Sequence, residues 1–188
     1  MLKKYISIKN PRILEIGFGN GVFMEQCPYP EVYGIDTDAS SIARMKSKGF
    51  NVKRESFDKM SFPDETFDLI YLSHVLEHTL YPEQAINEIH RVLKKGGILC
   101  IVTPDIKRHK FNFYTDHTHK SPFTKDSITN LLALYDCRVL HIRHGLFHQF
   151  YWDYFLKRFK PLRKFVYVIK EFIGQILSTE MTVVAKKQ

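Results

Sequence analysis

The sequence predicts a single α/β domain in which buried strands alternate with helices along the chain. Short apolar runs bounded by glycine or turn residues occur at 13–16, 32–35 and 69–72, and such runs are typical of buried strands. Apolar residues at helical spacing follow several of them. With 188 residues, 44% of them hydrophobic, the chain is long enough to bury one core.

Local signals set the limits of the expected elements. Pro28 ends the first helix, Asp38, Ser40 or Ser41 caps the second, and Pro82 begins a third that stops at Gly96–Gly97. We expect helices at 20–26, from the cap to about 48, at 82–93 and at 124–134. We expect strands at 13–16, 32–35, 51–55, 69–72, 98–102, 138–143 and 179–186.

A glycine-rich loop between the first strand and the first helix is the most informative feature of the sequence. Gly17, Gly19 and Gly21 stand at a spacing of two, and glycine lets the main chain approach a ligand closely. The following helix N-terminus favours an anion. Asp36, at the end of the second strand, can accept two hydrogen bonds from a ribose diol. The sequence therefore predicts a ligand that contains adenosine and an anionic tail.

The third glycine of a dinucleotide-binding loop is replaced here by Val22, which argues against an NAD-dependent oxidoreductase. The pattern present is similar to motif I of the class I S-adenosylmethionine (SAM)-dependent methyltransferases. It comprises Glu15, Gly17, Gly19 and Gly21. The resemblance implies SAM as cofactor and S-adenosylhomocysteine as product.

The resemblance also implies a fold and the roles of several residues. The fold is Rossmann-like, with seven mostly parallel strands, helices on both faces and an antiparallel last strand. The glycine loop and Glu15 would hold the methionine part of SAM, and Asp36 with Thr37 would hold the ribose.

Two further segments resemble the same family. Ser56 stands where members commonly carry an aspartate for the adenine amino group, and Phe57 would cover the ring or belong to the core. The stretch 73–78 resembles the H-V-L-E-H segment and would place Ser73 and His74 beside the methionine of SAM. His78 would lie near the substrate pocket, or would only orient its loop by hydrogen bonding.

The polar, histidine-rich segment 106–123 is expected to be a loop that selects the substrate. Its D-x-T-H-x-x-P-F pattern resembles that of methyltransferases among surface-polysaccharide and lipid-glycan enzymes. His117 or His119, with His78, is a candidate general base, because histidine exchanges protons near neutral pH. Alternatively these side chains pin the loop to the sheet.

No metal is expected, because Asp116, His117 and His119 are too close in sequence to surround one ion easily.

An aromatic and basic segment at about 147–177 is predicted to be a helical insertion in the single domain 1–188. Three interpretations remain open for it: a membrane-surface or lipid-binding helix, a lid over the substrate pocket, and a homodimer face.

Composition restricts the setting of the protein. The net charge of +8 favours phosphate-rich partners, and the three cysteines form no C-x-x-C pair, which fits a reduced compartment without a zinc site. Residues 1–11 lack the features of a signal peptide, and no apolar run is long enough to span a membrane. We expect a cytoplasmic protein, with peripheral contact at the inner face of the membrane as a further option.

The predicted function is methyl transfer from SAM to a small-molecule, glycan or lipid-linked acceptor, at oxygen rather than nitrogen. The sequence lacks the N/D-P-P-Y/F tetrapeptide of many DNA and protein-glutamine methyltransferases. Two alternatives remain: an RNA methyltransferase, which the positive charge suggests, and a non-catalytic SAM-binding partner protein.

Overall fold

A computed structural model describes residues 5–144 and 178–188 and contains a seven-stranded sheet in the order β3-β2-β1-β4-β5-β7-β6. Strands β1 to β5 run parallel to one another, and β7 is antiparallel to both β5 and β6. This topology confirms the predicted sheet. The strands are β1 (Ile13–Ile16), β2 (Val32–Asp36), β3 (Asn51–Arg54), β4 (Phe67–Ser73), β5 (Leu93–Pro104), β6 (Cys137–His144) and β7 (Glu180–Lys187).

Several helices begin at residues whose side chains satisfy free N–H groups. The Asp38 carboxylate accepts hydrogen bonds from the N–H groups of Ser40 and Ser41, and Thr124 forms a capping box with Ser127. The helices of the described ranges are α1 (Val22–Gln26), α2 (Ala39–Ser47), α3 (Pro82–Val92), α4 (Ile106–His109) and α5 (Lys125–Ala133), with 3-10 turns at Leu76–His78 and Lys110–Thr115.

Helices cover both faces of the sheet. Ile13 of β1 packs with Met24 of α1 and Met45 of α2, whereas Leu14 and its face pack with α3 and α5. Neighbouring residues of β1 therefore point to opposite faces of the sheet, and the residues on both faces are buried. This burial explains why the central strands read as continuous apolar runs.

The prediction that Gly96–Gly97 stops α3 is wrong. The helix ends at Val92, because Leu93 already pairs with Phe67 as the first residue of β5. The pairing then shifts, and Gly96 adopts a φ of 76° within the irregular part of β5. The glycines therefore allow the irregular backbone conformation at this point of the strand.

The segment 106–123 is not the continuous loop that its polar composition suggested. It begins with α4 and the 3-10 turn Lys110–Thr115. The Asp105 side chain accepts the N–H of Lys107 at 3.0 Å, and Phe113 is fully buried. One cap and one apolar anchor are therefore enough to order a stretch that otherwise looks hydrophilic.

The predicted insertion at 147–177 lies outside the described residues, so its membrane, lid and dimer interpretations stay predictions. Over 5–144 and 178–188, no helix combines the length and the apolar character that a bilayer crossing requires. The cytoplasmic location remains a prediction as well.

Candidate functional site

The candidate site lies at the carboxyl ends of β1, β2 and β4. Strand β2 pairs with one edge of β1, and β4 pairs with the other edge of β1. A crevice forms where the strand order reverses, and ligands of open α/β sheets bind there. The glycine loop follows β1 directly and so lies at this crevice.

The three loop glycines adopt left-handed backbone conformations, with φ values of 65°, 47° and 75° at Gly17, Gly19 and Gly21. A Cβ at Gly17 would lie 2.4 Å from Cγ2 of Val75, and one at Gly21 would lie 2.4 Å from Met45. At Gly19 a Cβ would meet no atom within 4 Å. The loop is therefore packed against the protein at its two ends and exposes its main chain in the middle.

Gly17→Ala is expected to destabilise the fold more than Gly19→Ala. Both substitutions place a side chain at positive φ, at a cost of about 1–2 kcal/mol. Only the first also forces Val75 to move, which adds about 1–3 kcal/mol. Urea denaturation of both variants measures the difference, and equal losses of stability would contradict the packing assigned to Val75.

The Asp36 side chain holds the middle of this loop. Its Oδ2 accepts the N–H of Gly19 at 2.8 Å, and its Oδ1 accepts the N–H of Asp38 at 2.9 Å. Arg44 donates to the carbonyl oxygen of Gly19 at 2.5 Å. Each carboxylate oxygen of Asp36 keeps a lone pair for a further donor.

Glu15 is a buried carboxyl group beside the loop, with 6% of its surface exposed. It accepts a hydrogen bond from the main chain of Met24, while its Oε2 atom has no hydrogen-bond partner among the described residues. Burial raises the pKa of Glu15 to about 8, and the negative charge of Asp36 adds to this effect. An unpaired buried oxygen of this kind suits a ligand that brings a donor or a positive charge.

Two cavities meet at Gly17. The first, of about 220 Å³, is polar on one side and carries the stacked pair Phe23 and Tyr71 on the other. Its lining comprises Glu15, Gly17, Phe18, Asn20, Val22, Phe23, Tyr71 and Ser73. The second, of about 240 Å³, combines Asp36 with apolar walls. Its lining comprises Ile16, Gly17, Ile35, Asp36, Thr37, Glu55, Phe57, His74, Val75 and His78.

The structure thus brings most of the predicted cofactor residues together. Phe57 is half-buried and lines the second cavity while also packing on the core, and its contact with the adenine ring stays a prediction. Ser56 is exposed and lines a third cavity instead, and Glu55 takes a place in the second one.

His74 lies between two carboxylates. Its Nδ1 is 3.2 Å from Oε1 of Glu77, and its Nε2 is 3.3 Å from Oε1 of Glu180. Hydrogen bonds to Glu180 and Glu77 raise the pKa of His74 to about 10. The imidazole is therefore charged at neutral pH, so it contributes positive charge to the cavity wall and does not act as a base.

Two of the three predicted base histidines lie side by side. The ring centroids of His78 and His119 are 4.9 Å apart. His78 Nδ1 lies 2.9 Å from the Thr118 hydroxyl oxygen, and His119 Nδ1 lies 2.8 Å from the Phe113 carbonyl oxygen. These contacts orient the loop, as one of the two interpretations expects, and the general-base role of the histidines stays a prediction.

His117 lies outside this pair. Its side chain is exposed, and its main-chain carbonyl accepts a hydrogen bond from Lys120.

The third cavity, of about 320 Å³, adjoins the second one and shares Phe57 and His78 with it. Leu80 and Tyr81 form an exposed apolar wall, and Lys120 adds a positive charge. The other lining residues are Ser56, Asp58 and Thr79. An acceptor bound there would lie next to a ligand in the second cavity.

Sequence reasoning missed Glu180 and Thr118 as site residues. Glu180 is the first residue of β7 and reaches His74 only because β7 inserts beside β5. Thr118 touches His78 across 40 positions of sequence. No local pattern signals either contact.

The fold and the glycine loop define a nucleotide-binding α/β domain of the SAM-dependent type. The family model described as "Methyltransferase domain" matches residues 14–101. Residues 14–101 thus match a methyltransferase domain, and SAM is the cofactor of the class I SAM-dependent methyltransferases that this segment resembles.

Individual relatives support this assignment. An uncharacterized protein of Methanocaldococcus jannaschii is 32% identical over 126 residues, which cover 67% of this chain and 60% of that protein. Phosphatidylethanolamine N-methyltransferase of Cereibacter sphaeroides is 30% identical over 52% of this chain and 53% of its own length. The chain thus spans little more than half of these relatives.

A solved structure shows the same fold. A SAM-dependent methyltransferase from Archaeoglobus fulgidus matches with a TM-score of 0.72 at 23% identity, over 99% of this chain and 91% of the other. At this identity the likeness concerns the fold alone.

The residues present fit SAM. The unpaired Oε2 of Glu15 and the first cavity suit the ammonium group at its amino acid end, and the open main chain at Gly19 leaves room beside it. Asp36 and the apolar walls of the second cavity suit ribose and adenine.

Proposed function

We propose that the chain transfers a methyl group from SAM to an oxygen atom of a small-molecule, glycan or lipid-linked acceptor. The observation that supports this most is the continuity of the three cavities. The first two share Gly17, and the second and third share Phe57 and His78. A donor and an acceptor would therefore meet at His78.

The residues receive roles from their positions. Gly17, Gly19, Gly21, Glu15 and Ser73 would hold the methionine part of SAM. Asp36 and Thr37 would hold the ribose, and Phe57 and His74 would line the space for the rest of the nucleoside.

When bound, SAM supplies a methyl group that its sulfonium already activates. The task of the chain is therefore to hold the acceptor in line and to exclude water, and the walls at Phe57 and Tyr81 would serve this purpose. The acceptor hydroxyl must also lose its proton. His78 and His119, with each Nδ1 engaged by an oxygen, would take that proton on Nε2.

Methyl transfer can be tested without knowing the acceptor. The full chain is incubated with SAM that carries a CD3 group and with a cell extract, and products are sought by mass spectrometry. We expect labelled products with the wild type and at least tenfold less with His78→Ala, since general bases contribute about 10²–10⁴-fold. His117→Ala serves as the matched control and should retain activity. Tight SAM binding without a labelled product would favour the non-catalytic alternative.

A lipid acceptor methylated at nitrogen is a second candidate. One relative is named for phosphatidylethanolamine, and the third cavity has the apolar wall of Leu80 and Tyr81. The RNA alternative rests on the net charge of +8 and predicts an RNA affinity that falls steeply with salt. The glycan preference suggested by the 116–123 pattern stays a prediction.

A further inference from the structure

We infer that Glu77, His78 and His119 form a binding site for a divalent transition-metal ion between the second and third cavities. One carboxylate oxygen and one nitrogen of each histidine all lie within 4.8 Å of one another. Glu77 has no exposed surface, whereas His78 is exposed and lines both cavities. The site differs from the sequence-local group Asp116, His117 and His119, which was not expected to bind a metal.

Main-chain hydrogen bonds hold the segment that carries His119 against the turn that carries Glu77 and His78. The N–H groups of Lys120 and Ser121 donate to the carbonyl oxygen of Glu77 at 2.8 and 3.0 Å. The Ser121 hydroxyl donates to the carbonyl oxygen of Thr79 at 2.7 Å. The segment that carries His119 is therefore held against the 3-10 turn Leu76–His78, and the ligand geometry is built into the fold.

Hydrogen bonds also fix which nitrogen of each histidine is available. The Thr118 hydroxyl donates its single proton to Oδ1 of Asp116 at 2.6 Å, so it can only accept from Nδ1 of His78. The Phe113 carbonyl can only accept from Nδ1 of His119. Both neutral rings therefore carry their lone pair on Nε2, and such second contacts are typical of histidines that bind metals.

Glu77 is oriented in the same manner. Its Oε1 lies 3.2 Å from His74 Nδ1, and its Oε2 accepts from the Thr103 hydroxyl at 3.1 Å. A carboxylate has about four lone-pair positions, so these two hydrogen bonds leave room for a coordinate bond. All three ligands thus have supporting partners in the described structure.

The ligand set selects the class of ion. Two imidazoles and one carboxylate favour Zn²⁺ or a similar transition metal over Mg²⁺ and Ca²⁺, which prefer oxygen alone. Zinc lies about 2.0–2.2 Å from such ligands, so the three ligand atoms must come closer together, and the exposed His78 ring can shift toward the ion while its hydrogen bond to the exposed Thr118 is kept. Three protein ligands leave a position open for water or substrate.

The open position would face the third cavity, where the acceptor is proposed to bind, and this role rests on the proposed function. A hydroxyl that binds there through its oxygen has a lowered pKa and releases its proton to water. The ion would then replace the imidazoles in activating the acceptor oxygen. Metal binding itself requires neither SAM nor an acceptor.

Calorimetry with ZnCl₂ tests the site. The full chain, free of a histidine tag and stripped with EDTA, should bind one zinc ion and bind MgCl₂ far more weakly. His78→Ala and His119→Ala each remove a proposed zinc ligand. Each should therefore weaken zinc binding at least about 100-fold, which is the largest effect typical of removing a residue that only hydrogen-bonds to a ligand. Thr118→Val should weaken it about 10-fold. His117→Ala, the matched control, should bind as the wild type does.

Several outcomes would overturn the site: no zinc binding by the wild type, unchanged binding by His78→Ala, or an equal loss in His117→Ala. Thermal melts verify that each variant is folded. If His119→Ala unfolds, the exposed His78 carries the test alone. SAM calorimetry on the stripped chain separates the two proposals: SAM binding without zinc binding rejects the metal site, and zinc binding without SAM binding rejects the proposed methyl transfer.

Discussion

Asp36→Asn is expected to weaken SAM binding about 100-fold. In the wild type both carboxylate oxygens accept main-chain N–H groups, at Gly19 and Asp38, and both retain lone pairs for ribose hydroxyls. An amide at this position has one acceptor oxygen, so its NH₂ group must face an N–H donor. Hydrogen bonds to a charged group contribute about 1.5–3 kcal/mol, and about 2.7 kcal/mol corresponds to a 100-fold change.

Asp38→Asn is the matched control for this substitution. Asp38 caps α2 through the N–H groups of Ser40 and Ser41, which donate to Oδ1 and Oδ2, and asparagine keeps the shorter of these two bonds and is also a preferred cap. The control removes the same charge two residues away, so its SAM affinity should stay within about threefold of the wild type, as for a screened surface charge. Calorimetry with SAM gives both affinities. Equal losses in the two variants would show that net charge, and not contact with the ribose, controls binding.

The sequence predicted those parts of the site that depend on local chemistry. Gly17, Gly19 and Gly21 need left-handed backbone conformations, and Asp36 ends a strand that pairs next to β1. Both features are encoded within a short stretch, because a β-turn-α unit folds from neighbouring residues. The pairing of β1 with β2 belongs to the same local unit.

Contacts between distant segments could not be predicted in this way. Val75 closes on Gly17, and Glu180 reaches His74, only after β4 and β7 have taken their places in the sheet. His119 meets His78 because main-chain hydrogen bonds dock the 116–121 segment on Glu77. A single sequence contains the residue types for these contacts but not their pairing.

Replacing Glu15 with glutamine is expected to change how stability depends on pH. The pKa of Glu15 is about 8 in the folded protein, above its unfolded value, so the folded state binds more protons in the window between them. The stability of the wild type therefore falls as pH rises from about 4.5 to 8, by up to about 1.4 kcal/mol per pH unit from this group. Glu15→Gln stays neutral and loses this dependence.

Urea denaturation at pH 5, 7 and 9 measures the effect as the difference between variant and wild type. Glu15→Gln should match the wild type at pH 5 and be more stable by several kcal/mol at pH 9. Glu88→Gln is the control of opposite sign. Hydrogen bonds from Arg91 hold the pKa of Glu88 below its usual value, so this variant should be less stable than the wild type by nearly the same amount at pH 5, 7 and 9. A Glu15→Gln curve parallel to that of the wild type would contradict the buried, unpaired state of Glu15.

The same group links stability to ligand binding. The cationic ammonium group at the amino acid end of SAM would favour the ionised form of Glu15 in the first cavity, so binding near pH 7 should release up to one proton from it. Calorimetry in two buffers of different ionisation enthalpy measures that release. Glu15→Gln should bind SAM more weakly and release about one proton fewer than the wild type. An unchanged proton release in Glu15→Gln would mean that the cationic end of SAM lies elsewhere, and that Glu15 serves only to hold α1 through Met24.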